Sequence, residues 1–278
     1  LKKTIPYILF LSILFWFCSE PEESCCVLPA EPKSETLTDA DRVGLVWSDE
    51  FDGSTLSNNH WTPEIGDGST QGLPGWGNNE KQYYTDRPSN LLVENGFLKI
   101  IAKKESLGGS AYTSARIKTQ EKFSFTHGRL VLRARLPQGV GTWPAIWMLG
   151  NSIPTDGWPK CGEIDIVEQR GAAKNILIGA THWLDKATST TADYLREYTF
   201  TTDPTDFHQY TMQWTPDYIR MNVDGIRYFE MNINDQMPFR NPFFIICNIA
   251  MGGTLGGNIG ASFTSDDMWI DYIRVYTN

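Results

Sequence analysis

From about residue 43 onward, apolar and polar residues alternate over short stretches, or a few apolar residues run together, and each stretch is closed by glycine, proline, asparagine or aspartate. The segments FLKIIAKK from Phe97, RLVLRARLP from Arg129, EIDIVEQ from Glu163, ILIGATHW from Ile176, YTMQWT from Tyr210 and WIDYIRVY from Trp269 all read as strands. The region Ile219 to Met231 reads as a hairpin, because YIRMNV and IRYFEM flank Asp224-Gly225, a pair that supplies positive φ for a tight type I′ turn. No long amphipathic helical pattern competes with these strands, and no internal repeat is present. Many short strands separated by turns predict an all-β fold, a β-sandwich jelly roll in which one sheet curves into a concave substrate cleft.

The opening of the chain has a different pattern. Lys2 and Lys3 precede an apolar run from Ile5 to Phe17, too short to span a bilayer comfortably, which predicts a signal segment over residues 1–18. Cys18 follows, so the expectation is export to the cell surface or medium, either by plain cleavage or with a lipid anchor on Cys18. Residues 19–41 are rich in Glu, Pro, Ser and Thr and predict a polar linker, leaving 42–278 as one domain.

Composition narrows the chemistry. The formal charge of -9 and the lack of any basic run with interleaved aromatics argue against nucleic acid and favour a neutral or weakly charged ligand. Ten Trp, eleven Tyr and fourteen Phe must fill a core or line a binding surface. Cys161 and Cys247 allow at most one disulfide within the domain, and spacing leaves open whether it forms. No cysteine and histidine pattern of zinc type occurs. No protein partner is indicated, and the chain is expected to act as a monomer.

The segment Glu163-Ile164-Asp165-Ile166-Val167-Glu168 carries the candidate chemistry. Alternation puts Glu163 and Asp165 on one face and Ile164 and Ile166 on the other. Glu168 then has the wrong parity, and a carboxylate turned into the core is costly, whereas one extra residue at a β-bulge near Ile166 and Val167 returns it to the face of its partners. Such a pair matters because retaining glycoside hydrolysis needs two carboxyl groups roughly 5 to 5.5 Å apart. At a rise of roughly 3.3 Å per residue the two glutamate backbones lie farther apart than that, so their side chains must lean together over Asp165. Set against this is a plain acidic strand face in solvent.

In these residues the chain resembles glycoside hydrolase family 16, and within it the laminarinase-like members. The resemblance extends through VWSDEFDG from Val46, GWGNNEKQYYT from Gly75, YTSARIKT from Tyr112, FSFTHGRLVLRARLP from Phe123, GTWPAIWMLG from Gly141, GWPKCGEIDIVE from Gly157 and WIDYIRVY. Lys81 departs from it, standing where such members often carry an apolar residue. The resemblance implies Glu163 as nucleophile, Glu168 as acid/base and Asp165 as the residue that holds and tunes Glu163, with no catalytic cofactor. It also implies that Trp143 and Trp158 lie in the cleft, where indole faces suit pyranose rings. Trp147 is open between cleft and core, and Arg116 between sugar binding and a surface salt bridge. His182 is expected beside Asp165 or the sugar, although a lone histidine in an apolar strand is also often a satisfied buried group. Asn79 is a candidate sugar-binding loop residue. Glu50, Gly96 and Asp271 match positions that imply a structural calcium.

The expected activity is endo-hydrolysis of β-1,3-glucan of the laminarin type, a polysaccharide partner. The same fold acting on mixed-linkage β-glucan or a galactan such as agarose is the alternative, as is a non-catalytic glucan-binding module.

Overall fold

A computed structural model describes residues 42–277. The expected signal segment, the linker and Cys18 lie outside the described residues. Two sheets face each other, as the strand pattern predicts. In spatial order the seven-stranded sheet runs Thr190–Thr199, Ile176–Asp185, Glu163–Gln169, Thr142–Gly150, Phe243–Met251, Arg116–Lys118 and Thr62–Pro63. The ten-stranded sheet is built on Ile226–Asn232, Tyr218–Val223, His208–Trp214, Gly128–Arg135, Ser265–Tyr276, Phe97–Lys103, Tyr112–Ser114 and Gln82–Tyr84. Leu45–Asp49 pairs alongside Ser265–Tyr276, and Leu91–Glu94 alongside Phe97–Lys103. The two α-helices among the described residues, Ile153–Asp156 and Gly253–Gly256, are single turns. None is long and apolar enough to cross a membrane.

The core lies between the sheets and follows period two. Ile146 and Met148, Ile245, Cys247 and Ile249, and Ile164 and Ile166 face Leu130, Leu132, Leu98, Ile100 and Met212 in one buried cluster. Ser265–Tyr276 stays inward-facing along its length only because its parity changes: Met268 and Ile270 are buried in this cluster, then Ile273 and Val275. The register slips between Ile270 and Tyr272, leaving Asp271 as the extra residue. The expected hairpin is present, with Asp224 at φ 48° and Gly225 at φ 79°. The Asp224 carboxylate secures it by accepting from the Gln209 N–H at 2.9 Å and pairing with His208 Nδ1 at 2.6 Å.

Cys161 and Cys247 are both free and buried. They sit in different clusters: Cys247 belongs to the inter-sheet core, and Cys161 to a small group with Leu149, Phe244 and Ile246 on the other side of the seven-stranded sheet.

One close approach binds three loops together behind the groove end. Gly171 donates to the Leu255 carbonyl at 3.1 Å and accepts from the Gly141 N–H at 2.9 Å. A Cβ on Gly171 would lie 1.7 Å from the Gly256 carbonyl oxygen, so backbone must move to admit one. Gly171→Ala is expected to cost about 1–3 kcal/mol of stability, measured by denaturant unfolding.

Candidate active site

The acidic strand carries the bulge that its parity demands. On one side Asp165 pairs with Trp147 but Val167 with Ile146; on the other Asp165 pairs with Ala180 and Glu168 with Ile178. Each neighbour therefore advances one residue fewer than the acidic strand. Ile164, Ile166 and Val167 are all fully buried in the core, and Glu163, Asp165 and Glu168 all line the groove on the opposite face. Ile166 has no partner in either register, and its carbonyl accepts instead from the buried Tyr228 hydroxyl. Nothing in the local sequence marks Tyr228 for this task, because it comes from the far sheet.

Each carboxyl has a neighbour that orients it. Trp143 Nε1 donates to Glu168 Oε1 at 2.8 Å. Trp158, 53 % exposed, faces Glu163 and favours its charged form. His182, the cross-strand partner of Glu163, places Nε2 3.4 Å from Asp165 Oδ2. Burial pushes all three acids above the usual carboxylate range. For Glu163 the charge of Asp165 adds to it, and for Asp165 the charge of Glu168 does. Asp165 and Glu168 lose their protons as a linked pair rather than independently.

The groove encloses about 350 Å³ and crosses the strands of the seven-stranded sheet. Trp143, Ala145 and Trp147 from one strand and Ile246, Asn248 and Ala250 from the next form its floor by period-two alternation. Trp147, left open by sequence between cleft and core, is half-buried and faces the groove. Arg116 is not a surface salt bridge. Its Nε donates to Glu64 Oε2 at 2.5 Å, and its guanidinium lies between Trp76 and Trp147 at 4.5 and 5.0 Å from their ring centres.

Of the substrate-binding candidates, Asn79 and His182 are not among the groove residues; His182 sits behind them, beside Asp165, and Asn79 points elsewhere. Asn79 is exposed at φ 58°, whereas Asn78 lines the groove. The positive φ turns one residue of the pair outward, and Asn78 Nδ2 reaches Glu80 Oε1 at 3.3 Å.

Two groove acids were missed in the sequence, Glu64 and Glu80, because each gains its meaning only from distant partners. Burial pushes Glu64 up, but Arg116 and Lys118 outweigh it and hold the carboxyl below its ordinary range. Glu80 is pushed up by burial and is held by donors from Gln82 at 2.6 Å and Tyr84 at 3.1 Å. The network continues through Asn248, which donates to the Tyr84 hydroxyl and accepts from Trp147 Nε1.

Glu50, Gly96 and Asp271 lie away from the groove. Pairing of Asp49 with Ile273 and of Leu98 with Ile270 brings all three to one stretch of Ser265–Tyr276. Arg274 grips both oxygens of Glu50, at 2.9 and 2.8 Å, and Arg133 meets Asp271 at 2.7 Å.

Acids that exchange protons, on one wall of an indole-lined groove, suit acid/base and nucleophilic chemistry on an extended neutral chain. Comparison with known proteins agrees. Residues 78–274 match the model for glycosyl hydrolases family 16. The chain is 41% identical over 251 residues to a beta-glucanase of Rhodothermus marinus, covering 84% of both chains. It is 35% identical to a glucan endo-1,3-beta-glucosidase of Cryptopygus antarcticus, covering 84% of this chain and 92% of that one. Its fold superposes on the laminarinase catalytic domain of Thermotoga maritima with a TM-score of 0.77 at 40% identity, covering 84% of this chain and 98% of that one. With the acids, the groove and the two-sheet architecture all in agreement with this match, the chain belongs to glycosyl hydrolases family 16.

Proposed function

We propose that this protein is a retaining endo-β-1,3-glucanase acting on laminarin-type glucan, with Glu163 as nucleophile and Glu168 as acid/base. The observation that carries the reading is the bulge that sets Glu168 beside Glu163 and Asp165 on the groove wall. A glucan-binding module needs the tryptophans but not three acids gathered on one groove wall. The relatives named above favour β-1,3-glucan over a galactan.

The electrostatics divide the labour. Asp165 stands between two glutamates and is nine-tenths buried or more, so it is the site where an anion is least favourable. As the neutral acid it donates toward Glu163 and removes the repulsion that raises it. Glu163, facing His182 and the Trp158 N–H, then ionises and attacks the anomeric carbon. Glu168, with Trp143 on Oε1, keeps its proton on the other oxygen and gives it to the departing glycosidic oxygen. In the second half, the Glu168 carboxylate takes a proton from water, and that water cleaves the glycosyl ester with net retention. Trp143, Trp147 and Trp158 offer faces to sugar rings, and Arg116, Asn78 and Glu80 offer hydrogen bonds to hydroxyls further along the groove.

Export belongs to the same proposal, by cleavage or with a lipid on Cys18. It is supported by the basic-then-apolar run of residues 2–17 and by a polymeric substrate that does not cross membranes. So does a structural calcium at Glu50, Gly96 and Asp271. The strand register gathers these oxygen donors, and hard oxygens suit that ion, although Arg274 already holds the Glu50 carboxylate.

Glu168→Gln should lower kcat on laminarin by about 10²–10⁴, read as reducing ends, and Glu163→Ser should abolish release while the protein still binds the polymer. Faster cleavage of lichenan or agarose than of laminarin would reassign the substrate, and binding without cleavage by the unaltered protein would point to a module.

Asp165 holds a proton in the fold at pH values where the unfolded chain has lost it, so this site makes stability fall as pH climbs above the ordinary aspartate range. Asp165→Asn should therefore gain on the order of 1 kcal/mol near pH 7, shrinking to nothing near pH 3, while losing activity. Thermal melts across pH check the sign.

Dialysis against EDTA should lower the melting temperature and added calcium restore it; an unchanged melt removes calcium from the reading.

A further inference from the structure

The side chains of Glu163, Asp165 and His182 offer donor atoms that all lie within 4.8 Å of one another. Two carboxylates and an imidazole are a mixed oxygen and nitrogen set, the kind that suits a borderline divalent ion. Calcium and magnesium, which prefer more ligands and oxygen alone, suit it poorly.

Two further observations point to a ligand rather than to an acidic patch. Asp165 is only 3 % exposed, yet its Oδ2 has no hydrogen-bond partner among the described residues. That same oxygen faces His182 Nε2 at 3.4 Å, too far for a good hydrogen bond. Two donors each about 2.0–2.1 Å from a tetrahedral ion lie about 3.4 Å apart, so the gap between His182 and Asp165 is the edge of such a site. The fourth corner opens onto the groove, since Glu163 and Asp165 both line it. His182 is the one basic side chain ion-paired with either acid among the described residues, so a cation that displaces the Asp165 proton meets little competition and offsets the repulsion between the two carboxylates.

We propose that Glu163, Asp165 and His182 form a zinc-type binding site that switches the groove off. An ion there ties up the proposed nucleophile and its neighbour, so metal and sugar exclude each other. Inhibition by the ion is then competitive with glucan and is reversed by chelation. The binding itself does not depend on the glucanase reading, although its consequence for activity does.

The test is zinc titration by calorimetry on the chelator-stripped full chain, with His182→Ala, Glu163→Gln and, as a control, His60→Ala. His60 sits at a separate histidine–carboxylate pair, 3.1 Å from Asp49. Loss of one ligand should weaken zinc roughly tenfold or more in both site variants and leave His60→Ala unchanged. Laminarin oligosaccharide should compete with zinc, and calcium or magnesium at the same concentration should not. Glu163→Gln preserves shape, so it decides the matter even if His182→Ala fails to fold. Zinc affinity unchanged in Glu163→Gln, or insensitive to the oligosaccharide in a protein that cleaves laminarin, overturns the site. Site-dependent zinc binding by a protein that cleaves no glucan keeps this proposal and removes the glucanase reading instead.

Discussion

Three carboxyl groups held side by side in a poorly hydrated wall repel one another, and the structure is arranged to tolerate that repulsion. Left alone, a strand bearing them would turn toward water. It is held by its other face, where Ile164, Ile166 and Val167 are fully buried against the opposing sheet. Hydrophobic burial of such side chains is worth about 1.5–3 kcal/mol each, the scale needed to keep desolvated acids in place. The bulge makes the bargain geometrically workable, because one extra residue lets two neighbouring apolar side chains and the acids beyond them all find the correct face. The carbonyl that the bulge frees from the ladder is satisfied by Tyr228, so the irregularity leaves no orphan acceptor in the core.

The groove contains two electrostatic regimes. At one end Glu64 is ion-paired with Arg116 and Lys118 and stays charged. At the other the three strand acids have no such partners beyond His182 among the described residues, and burial pushes their carboxyls above the usual range. Glu80 lies between these extremes, half-buried and hydrogen-bonded by neutral donors. A neutral sugar chain can lie across both ends without a net charge penalty, whereas the proton traffic is confined to the wall where pKa values are displaced. Trp147 joins the two: its indole lies near Arg116 and is hydrogen-bonded to Asn248, and its backbone pairs with Asp165.

Much of this was readable from residue order. Alternation locates the principal strands, Asp224-Gly225 locates the hairpin, and the parity of Glu168 alone requires the bulge. What sequence could not supply was anything set by contact between distant segments. Arg116 looked as much like a surface charge as a ligand because Glu64 and Trp76 lie on other loops. Asn79 and Asn78 are chemically the same, and only the backbone turn at Asn79 decides which faces the groove. Glu80 was in view within GWGNNEKQYYT, but its donors Tyr84 and Gln82 follow on a strand whose partners are parallel and remote. The cysteines were likewise undecidable by spacing, since their separation across a sheet is a matter of parity in two different strands.

That separation has a consequence for how the protein can be followed in solution. Burial pushes the Cys161 thiol up to about 11, and Cys247 is pushed up as well. Neither supplies appreciable thiolate at neutral pH, and neither can find the other to oxidise. The sandwich therefore matures without a redox step, and its two sulfurs stay silent to alkylating reagents for as long as it stays shut. Because one reports the gap between the sheets and the other the loop packed on Leu149, Phe244 and Ile246, their labelling rates would time separately the melting of the body and the lifting of the groove's edge.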